Sequence, residues 1–195
     1  ENSPDIIHIL DKEIGPCHAR NLGLEYSTGE IIVFLDDDVR VDPGFIRNIC
    51  TPIFKGRTLA VVGAICDAEG NYHHDDYPYW YREKHNWLLA LGTSPGYPGS
   101  CQTLSFPTGC AAIHRSIYEK VGAFDTFFDP NGAGEDREFG LRIFHAGFSI
   151  LYEGKAYIRH LRAPSGGRSS TPGRYKYQNV LEANSVYIVA KYFGW

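Results

Sequence analysis

The sequence of 195 residues contains no methionine and begins at Glu1, so we expect that an N-terminal part is missing from it. Long apolar runs are absent as well. The longest extend over residues 31–35 and, if Gly63 is counted, over residues 59–66. A helix that crosses a bilayer needs about 20 consecutive apolar residues, so neither run predicts a membrane span.

The sequence also lacks an excess of positive charge. Its formal net charge is −4, which provides neither the electrostatic footprint of a nucleic-acid-binding protein nor a polybasic patch for a membrane. No Cys-x-x-Cys spacing occurs among the five cysteines, which are Cys17, Cys50, Cys66, Cys101 and Cys110. This pattern favours a cytosolic protein whose thiols are reduced and mostly buried. We therefore expect a cytoplasmic location. Peripheral attachment to the cytoplasmic face of a membrane stays open, because the aromatic residues 187–195 suit a bilayer, a partner or the domain itself.

Several signatures of known sites are missing. The sequence has no Gly-x-x-x-x-Gly-Lys phosphate loop, no Gly-x-Ser-x-Gly nucleophile elbow and no His-Glu-x-x-His zinc motif. An EF-hand calcium loop counted from Asp36 would place Arg40 and Val41 where an oxygen ligand and a glycine are needed. These absences argue against P-loop hydrolases, elbow-type serine hydrolases, zinc proteases and EF-hand proteins.

What the sequence does contain is an acidic triplet after an apolar run. Residues 31–35 predict a short strand buried on both faces, and Asp36, Asp37 and Asp38 follow it directly. Because adjacent carboxylates repel one another, we expect them to emerge at the carboxyl edge of a sheet, where open α/β folds bind ligands. Carboxylate oxygens suit Mg²⁺ or Mn²⁺, and the metal suits a diphosphate. The alternative is a solvated acidic loop.

Hydrophobic periodicity predicts alternating strands and helices. Expected strands cover residues 5–10, 31–35, 59–65, 111–114, 150–152 and 156–160. Expected helices cover residues 19–26, 42–53 with Asp42 as the N-cap, 79–91, 116–121 with Ser116 as the cap, 135–146 and 174–194. Strand, helix and strand with short links is the pattern of a parallel sheet, so we expect a three-layer α/β fold with a mostly parallel central sheet.

Two stretches do not follow this pattern. Residues 77–87 are crowded with aromatic side chains, which favours either one wall of a binding cleft or a cap with a small core of its own. Residues 161–173 are rich in glycine, serine, proline and arginine, which predicts a mobile loop before the last helix.

The order and spacing of several segments resemble family 2 glycosyltransferases of the GT-A fold. The matching segments are residues 19–24, 28–38, 108–111, 121–125, 134–136 and 142–147. The resemblance implies a single Rossmann-like GT-A domain over residues 1–195 that lacks the family's first strand or strands. It further implies a nucleotide- and metal-binding half (1–65), an acceptor-binding and catalytic half (66–160), and a mobile loop with a C-terminal helix (161–195).

The resemblance assigns the acidic triplet to the donor. It implies that Asp36 contacts the ribose or nucleotide, that Asp37 belongs to the same donor site, and that Asp38 binds Mn²⁺ or Mg²⁺ on the diphosphate. His160, at the end of a predicted strand, resembles the histidine that often completes the metal shell. A structural role for this histidine is the alternative.

The pair Glu135-Asp136 resembles the family's Glu-Asp motif, in which a carboxylate is the catalytic base. An inverting transfer needs such a base, because the acceptor hydroxyl must lose its proton as it attacks the sugar carbon C1. Asp136 is the favoured base and Glu135 the second choice. The alternative is that both residues only stabilise the start of a helix.

Three further residues are assigned to the donor by the same resemblance. Arg20 would lie near the nucleotide, Gly109 would let the sugar approach the backbone, and Arg168 would fold over the diphosphate as a lid. A helix-surface salt bridge is the alternative for Arg20, and a solvated loop position is the alternative for Arg168. Cys110 stands where the family more commonly has asparagine.

We therefore expect a metal-dependent, inverting glycosyltransferase of polysaccharide biosynthesis. Its donor would be a nucleotide-diphosphate sugar, and its acceptor a hydroxyl of a glycan, a lipid-linked molecule or another compound. Two alternatives stay open, namely a non-catalytic module that binds nucleotide sugars or polysaccharides, and a metal-dependent nucleotidyltransferase or phosphohydrolase.

Overall fold

Strands and helices alternate along the chain, as the periodicity predicts. The computed structural model describes residues 6–10, 12–72, 96–130, 132–161 and 174–194, with backbone only for residues 174–178. In chain order the elements are α1 (Pro16–Tyr26), β1 (Ile31–Leu35), β2 (Val39–Val41), α2 (Phe45–Phe54), β3 (Ala60–Cys66), β4 (Ser100–Thr103), β5 (Cys110–His114), α3 (Arg115–Val121), α4 (Glu135–His145), β6 (Ile150–His160) and α5 (Arg174–Phe193).

The six strands form one sheet in the order β1-β5-β3-β6-β2, and β4 also pairs with β6. Strand β5 is antiparallel to both β1 and β3, whereas β6 is parallel to β3 and antiparallel to β2 and β4. The α/β fold is therefore confirmed, but the described sheet is mixed rather than mostly parallel. The reason is that β5 returns between β1 and β3 and separates two strands that run in the same direction.

Helices cover both faces of the sheet. On one face, α2 packs Phe45, Ile49 and Ile53 against side chains of β3, β5 and β6. On the other face, α1, α3, α4 and α5 cover a larger core that includes Phe139 and Tyr152. These two cores produce the three layers that the sequence predicts.

Strand β6 carries a bulge that changes which side chains face which core. Gly63 of β3 pairs with Glu153, but the next residue, Ala64, pairs with Tyr157. The register shifts by an odd number of residues, and side chains alternate between faces along a strand, so the shift reverses the faces. The sequence predicts two strands here, and the structure shows one bulged strand.

Residues 6–10 form no strand, contrary to the prediction for residues 5–10. Their large side chains Ile6, Ile7 and Leu10 are exposed. A short apolar run becomes a strand only where a neighbouring strand pairs with it and its apolar side chains find contacts.

Strand β1 also differs from expectation, because it lies at the end of the sheet order and a groove of about 330 Å³ runs along it. Its side chains are therefore not all buried.

The remaining differences concern element boundaries and short strands. Helix α2 begins at Phe45 after Gly44, two residues later than the Asp42-Pro43 pair predicts. Helix α3 is capped by His114, whose ring accepts a hydrogen bond from the Ser116 backbone N–H, rather than by the Ser116 side chain. Strands β2 and β4 were not predicted. The aromatic residues 77–87, the helix expected over residues 79–91 and most of the loop at residues 161–173 lie outside the described residues.

Four of the five cysteines are buried and Cys101 is half-buried. Among the described residues, no helix combines the length and the apolar character that a membrane span requires.

Replacing Gly63 with alanine tests the bulge. A Cβ atom at this position would overlap the carbonyl oxygen of Ala156 and approach the sulfur of Cys110 to 2.5 Å. Because one neighbour is backbone, we expect Gly63→Ala to lower the free energy of unfolding by about 1–3 kcal/mol. Urea unfolding followed by circular dichroism measures this change.

The matched control is Gly23→Ala in α1, where a Cβ atom would meet no atom within 4 Å. Alanine suits a helix interior better than glycine, so this variant should gain about 0.5–1 kcal/mol. Equal stability of the two variants would contradict the tight packing at the bulge.

Candidate active site

The pairing of β1 with β5 determines where the acidic triplet begins. Leu35, the last residue of β1, pairs with Cys110, the first residue of β5. Asp36 therefore comes beside Gly109, and a Cβ atom on Gly109 would overlap the Asp36 carboxylate. The two residues, which the resemblance places at the donor, are thus in contact range at the same edge of the sheet.

The short strand β2 brings the other end of the triplet to His160. Val39 pairs with His160, and the backbone N–H of Leu161 donates a hydrogen bond to the carbonyl oxygen of Asp38 at 2.9 Å. The Nε2 atom of His160 lies 3.4 Å from Oδ1 of Asp38. A strand that the sequence pattern did not predict therefore joins two predicted site residues.

Asp36, Asp38 and His160 form a cluster that fits a divalent metal ion. Each residue offers one ligand atom, these atoms lie within 4.8 Å of one another, and all three residues are half-buried. Carboxylate oxygens suit Mg²⁺ and Mn²⁺, and imidazole nitrogen suits transition metals. Asp37, in contrast, is exposed and lies outside this three-residue cluster.

The electrostatic environment of Asp36 shows which charges gather around it. Burial raises the pKa of its carboxyl group, and the nearby carboxylates of Asp38 and Asp136 raise it further, while Arg20 and His160 act in the opposite direction. Asp136 is the second residue of α4 and lies a hundred residues from Asp36 in sequence. The predicted base is therefore near Asp36, one of the predicted site residues.

Glu135 and Asp136 differ in environment although they are adjacent. Glu135 is only 2% exposed, and its Oε1 atom accepts a hydrogen bond from Nη1 of Arg20 at 3.0 Å. Asp136 is half-buried. Gly134 occupies the N-cap position of α4 in a left-handed conformation (φ 98°), so neither acidic residue is the cap. The Arg20–Glu135 pair joins α1 to α4, so it is not the salt bridge on the surface of one helix that was the alternative for Arg20.

The turn before α4 contains a residue whose role the sequence did not reveal. The carboxylate of Asp129 accepts hydrogen bonds from the backbone N–H groups of Cys17 and His18, each at 3.0 Å. These groups belong to the first turn of α1, where N–H donors have no partner within the helix. The sequence indicates a turn at residues 129–132, but the pairing with a helix more than a hundred residues earlier leaves no local signal.

Cys110, which stands where the family more commonly has asparagine, and two predicted contributors are not part of the described site. Cys110 is buried in the core, where its sulfur lies 3.8 Å from the carbonyl oxygen of Ala156 and burial raises the pKa of its thiol. Its side chain is therefore a packing element between strands. Arg168 and the aromatic residues 77–87 lie outside the described residues.

Known proteins share both sequence and fold with this chain. Polypeptide N-acetylgalactosaminyltransferase 5 of Caenorhabditis elegans is 25% identical over 195 residues, which cover 91% of this chain and 30% of that protein. Pre-mycofactocin glycosyltransferase of Mycobacterium tuberculosis is 30% identical over 156 residues, which cover 75% of this chain and 30% of that protein. The chain thus spans about a third of the length of these relatives.

A solved structure gives the same picture for the fold. The mannosyltransferase PcManGT from Pyrobaculum calidifontis, in complex with GDP-Man and Mn²⁺, superposes with a TM-score of 0.57 at 20% identity, over 91% of this chain and 43% of its own. The model of the family "Glycosyl transferase family 2" matches residues 1–122, which include the acidic triplet and Gly109 and end before α4. Because this match covers more than half of the sequence, the chain belongs to glycosyl transferase family 2, and its fold is GT-A.

Proposed function

We propose that this chain is the catalytic part of a metal-dependent, inverting glycosyltransferase. It would transfer a sugar from a nucleotide-diphosphate donor to a hydroxyl group of an acceptor. The observation that carries the proposal is the cluster of Asp36, Asp38 and His160 at one edge of the sheet, with Asp136 near enough to raise the pKa of the Asp36 carboxyl group. That edge collects the carboxyl ends of β1, β3 and β6, which is where α/β folds bind ligands.

We assign the metal to Asp36, Asp38 and His160, and we favour Mn²⁺ over Mg²⁺. Mg²⁺ prefers oxygen ligands in octahedral geometry, whereas the imidazole nitrogen of His160 suits a transition metal. A bound ion would neutralise charge on the diphosphate and so make it a better leaving group. The PcManGT complex with GDP-Man and Mn²⁺ is consistent with this choice.

Arg20 adds positive charge to the same place. Its guanidinium group affects Asp36 and is held by the buried carboxylate of Glu135. We therefore assign Glu135 to holding Arg20 rather than to catalysis, because a base must reach the acceptor hydroxyl. A buried carboxylate already bound to a guanidinium is poorly placed to do so.

Asp136 is the base in this proposal. It is half-buried and close enough to Asp36 to raise the pKa of that carboxyl group. In the transfer, the acceptor oxygen bonds to C1 of the sugar while the bond from C1 to the diphosphate oxygen breaks. The carboxylate of Asp136 accepts the proton that the acceptor hydroxyl loses. The lid role of Arg168, the donor contact of Asp37 and the cytoplasmic location stay predictions.

The most direct test is a panel of UDP- and GDP-sugars with Mn²⁺ or Mg²⁺, in which release of the nucleoside diphosphate by the full-length protein is measured. We expect release with at least one donor, loss of that release with EDTA, and recovery on adding Mn²⁺. Asp38→Ala should behave like the chelated protein. Release that EDTA leaves unchanged, or no release with any donor, would contradict the metal-dependent transferase.

Replacement of Asp136 with asparagine separates an enzyme from a binding module. Loss of a general base typically costs a factor of about 10²–10⁴, so kcat should fall by that order while metal-dependent nucleotide binding is kept. Calorimetric titration with the nucleoside diphosphate checks the binding. The comparison variant is Glu135→Gln, which weakens the hold on Arg20 and should also weaken nucleotide binding. If Glu135 were the base, Glu135→Gln would lower kcat and keep nucleotide binding, and Asp136→Asn would not have this effect.

Gly109→Ala tests the contact with Asp36. The added methyl group overlaps the end of the Asp36 side chain rather than backbone, so the carboxylate moves and the protein stays folded. Displacing a metal ligand in this way should weaken metal affinity about 10–100-fold, as loss of a supporting contact does elsewhere. Mn²⁺ titration followed by electron paramagnetic resonance measures the affinity, and unchanged affinity would show that Asp36 does not bind the metal.

A further inference from the structure

The C-terminal helix α5 contacts the turn that leads into the candidate base. Its buried residue Asn184 is 8% exposed and donates a hydrogen bond from Nδ2 to the carbonyl oxygen of Ala133 at 2.7 Å. Ala133 itself is fully buried and lies three residues before Asp136. A buried amide of this kind stabilises one particular arrangement of the backbone it binds.

Two neighbours of Asn184 on the same side of α5, Leu181 and Ile188, lie next to Gly134, the following residue of the turn. A Cβ atom on Gly134 would lie 3.5 Å from Cδ1 of Ile188 and 3.8 Å from Cδ1 of Leu181. Leu181, Asn184 and Ile188 follow helical spacing, so one stripe of α5 covers residues 133–134. The N-cap of α4 is therefore enclosed by α5.

The same turn is also held by α1. Asp129 accepts hydrogen bonds from the first turn of α1, and Arg20 of α1 binds Glu135. Residues 129 and 135 are thus held by α1, and residues 133–134 between them are held by α5. Asp136 follows these residues directly, so the position of its carboxylate depends on the position of the turn.

We propose that Asn184 is a positioning residue for the transfer: its hydrogen bond to Ala133 fixes the start of α4 and thereby places the Asp136 carboxylate against the acceptor. This inference rests on the proposed function, in which Asp136 is the base. Asn184 acts through Asp136 and has no assigned contact with the donor. It should therefore affect kcat rather than donor affinity.

The test variant is Asn184→Leu, which keeps the branched shape of the side chain at Cγ and removes the hydrogen-bond donor. The matched control is Ser185→Ala, because Ser185 donates its hydroxyl hydrogen bond within α5, to the carbonyl oxygen of Leu181 at 2.7 Å. We expect kcat of Asn184→Leu to fall about ten-fold or more with KM for the donor within two-fold of wild type, since small misplacements of catalytic groups have large effects on rate. Ser185→Ala should keep the wild-type kcat.

Two readouts separate positioning from general stability. In the Asp136→Asn background, Asn184→Leu should add no further loss, because both act through one carboxylate. Hydrogen–deuterium exchange should increase in the peptide covering residues 130–137 of Asn184→Leu and not of Ser185→Ala. Additive losses, equal changes in kcat and KM, or unchanged exchange would overturn the proposal.

Asn184→Asp gives a second view of the contact, because an ionised carboxylate has a similar shape and cannot donate. If both Asn184 variants are unfolded at the assay temperature, the amide serves to hold α5 on the domain and the positioning role is wrong. If the wild-type protein releases no nucleoside diphosphate, the proposed function is wrong. In that case an altered exchange at residues 130–137 would confirm the contact of Asn184 with the turn, and the catalytic role proposed for this contact would be wrong.

Discussion

The pairing of β6 with β3 and with β2 is the constraint on which the site depends. On one side β6 is parallel to β3 and bulged opposite Gly63, and on the other it pairs with the short strand β2. The bulge determines which face the end of β6 presents, and β2 determines which residue of the chain lies beside that end. Asp38 meets His160 because both conditions hold. A register slip of one residue in β6 would turn His160 to the other face of the sheet.

Bringing these residues together gathers negative charge, and the fold compensates it from elsewhere. Burial disfavours ionisation of Asp36, and the carboxylates of Asp38 and Asp136 disfavour it further. Arg20 opposes both effects at Asp36, and a guanidinium that acts on this carboxylate needs a defined position. The buried carboxylate of Glu135 supplies that position. A metal ion on the acidic cluster would complete the balance of charge, so the electrostatics of the chain itself favour a cation there.

Local patterns in the sequence predicted what is local in the structure. The strand before Asp36, the start of α4 at Glu135 and the α/β alternation follow from periodicity and turn residues. The direction of β5 could not be predicted, because an apolar run has the same composition whichever way it pairs. Strand β2 has only three residues, Val39, Arg40 and Val41, and an alternation this short is not enough to predict a strand. The contact of Arg20 with Glu135 joins residues 115 positions apart, and only the fold reveals it.

Helix α4 shows how neighbouring carboxylates acquire different roles. Its first turn contains Glu135, Asp136 and Glu138, and the two buried ones are each bound by cations. Glu135 is bound by Arg20 of α1, whereas fully buried Glu138 is bound by Arg142 of α4 and by Lys191 of α5. Burial alone would lower the pKa of Lys191, but its hydrogen bonds to carboxylates raise it to about 12, so this cation stays charged at neutral pH. The two buried carboxylates therefore anchor α4 to α1 and α5, while the half-buried Asp136 between them is near enough to Asp36 to raise the pKa of its carboxyl group. In enzymes, neighbouring carboxyl groups take different roles because their environments differ.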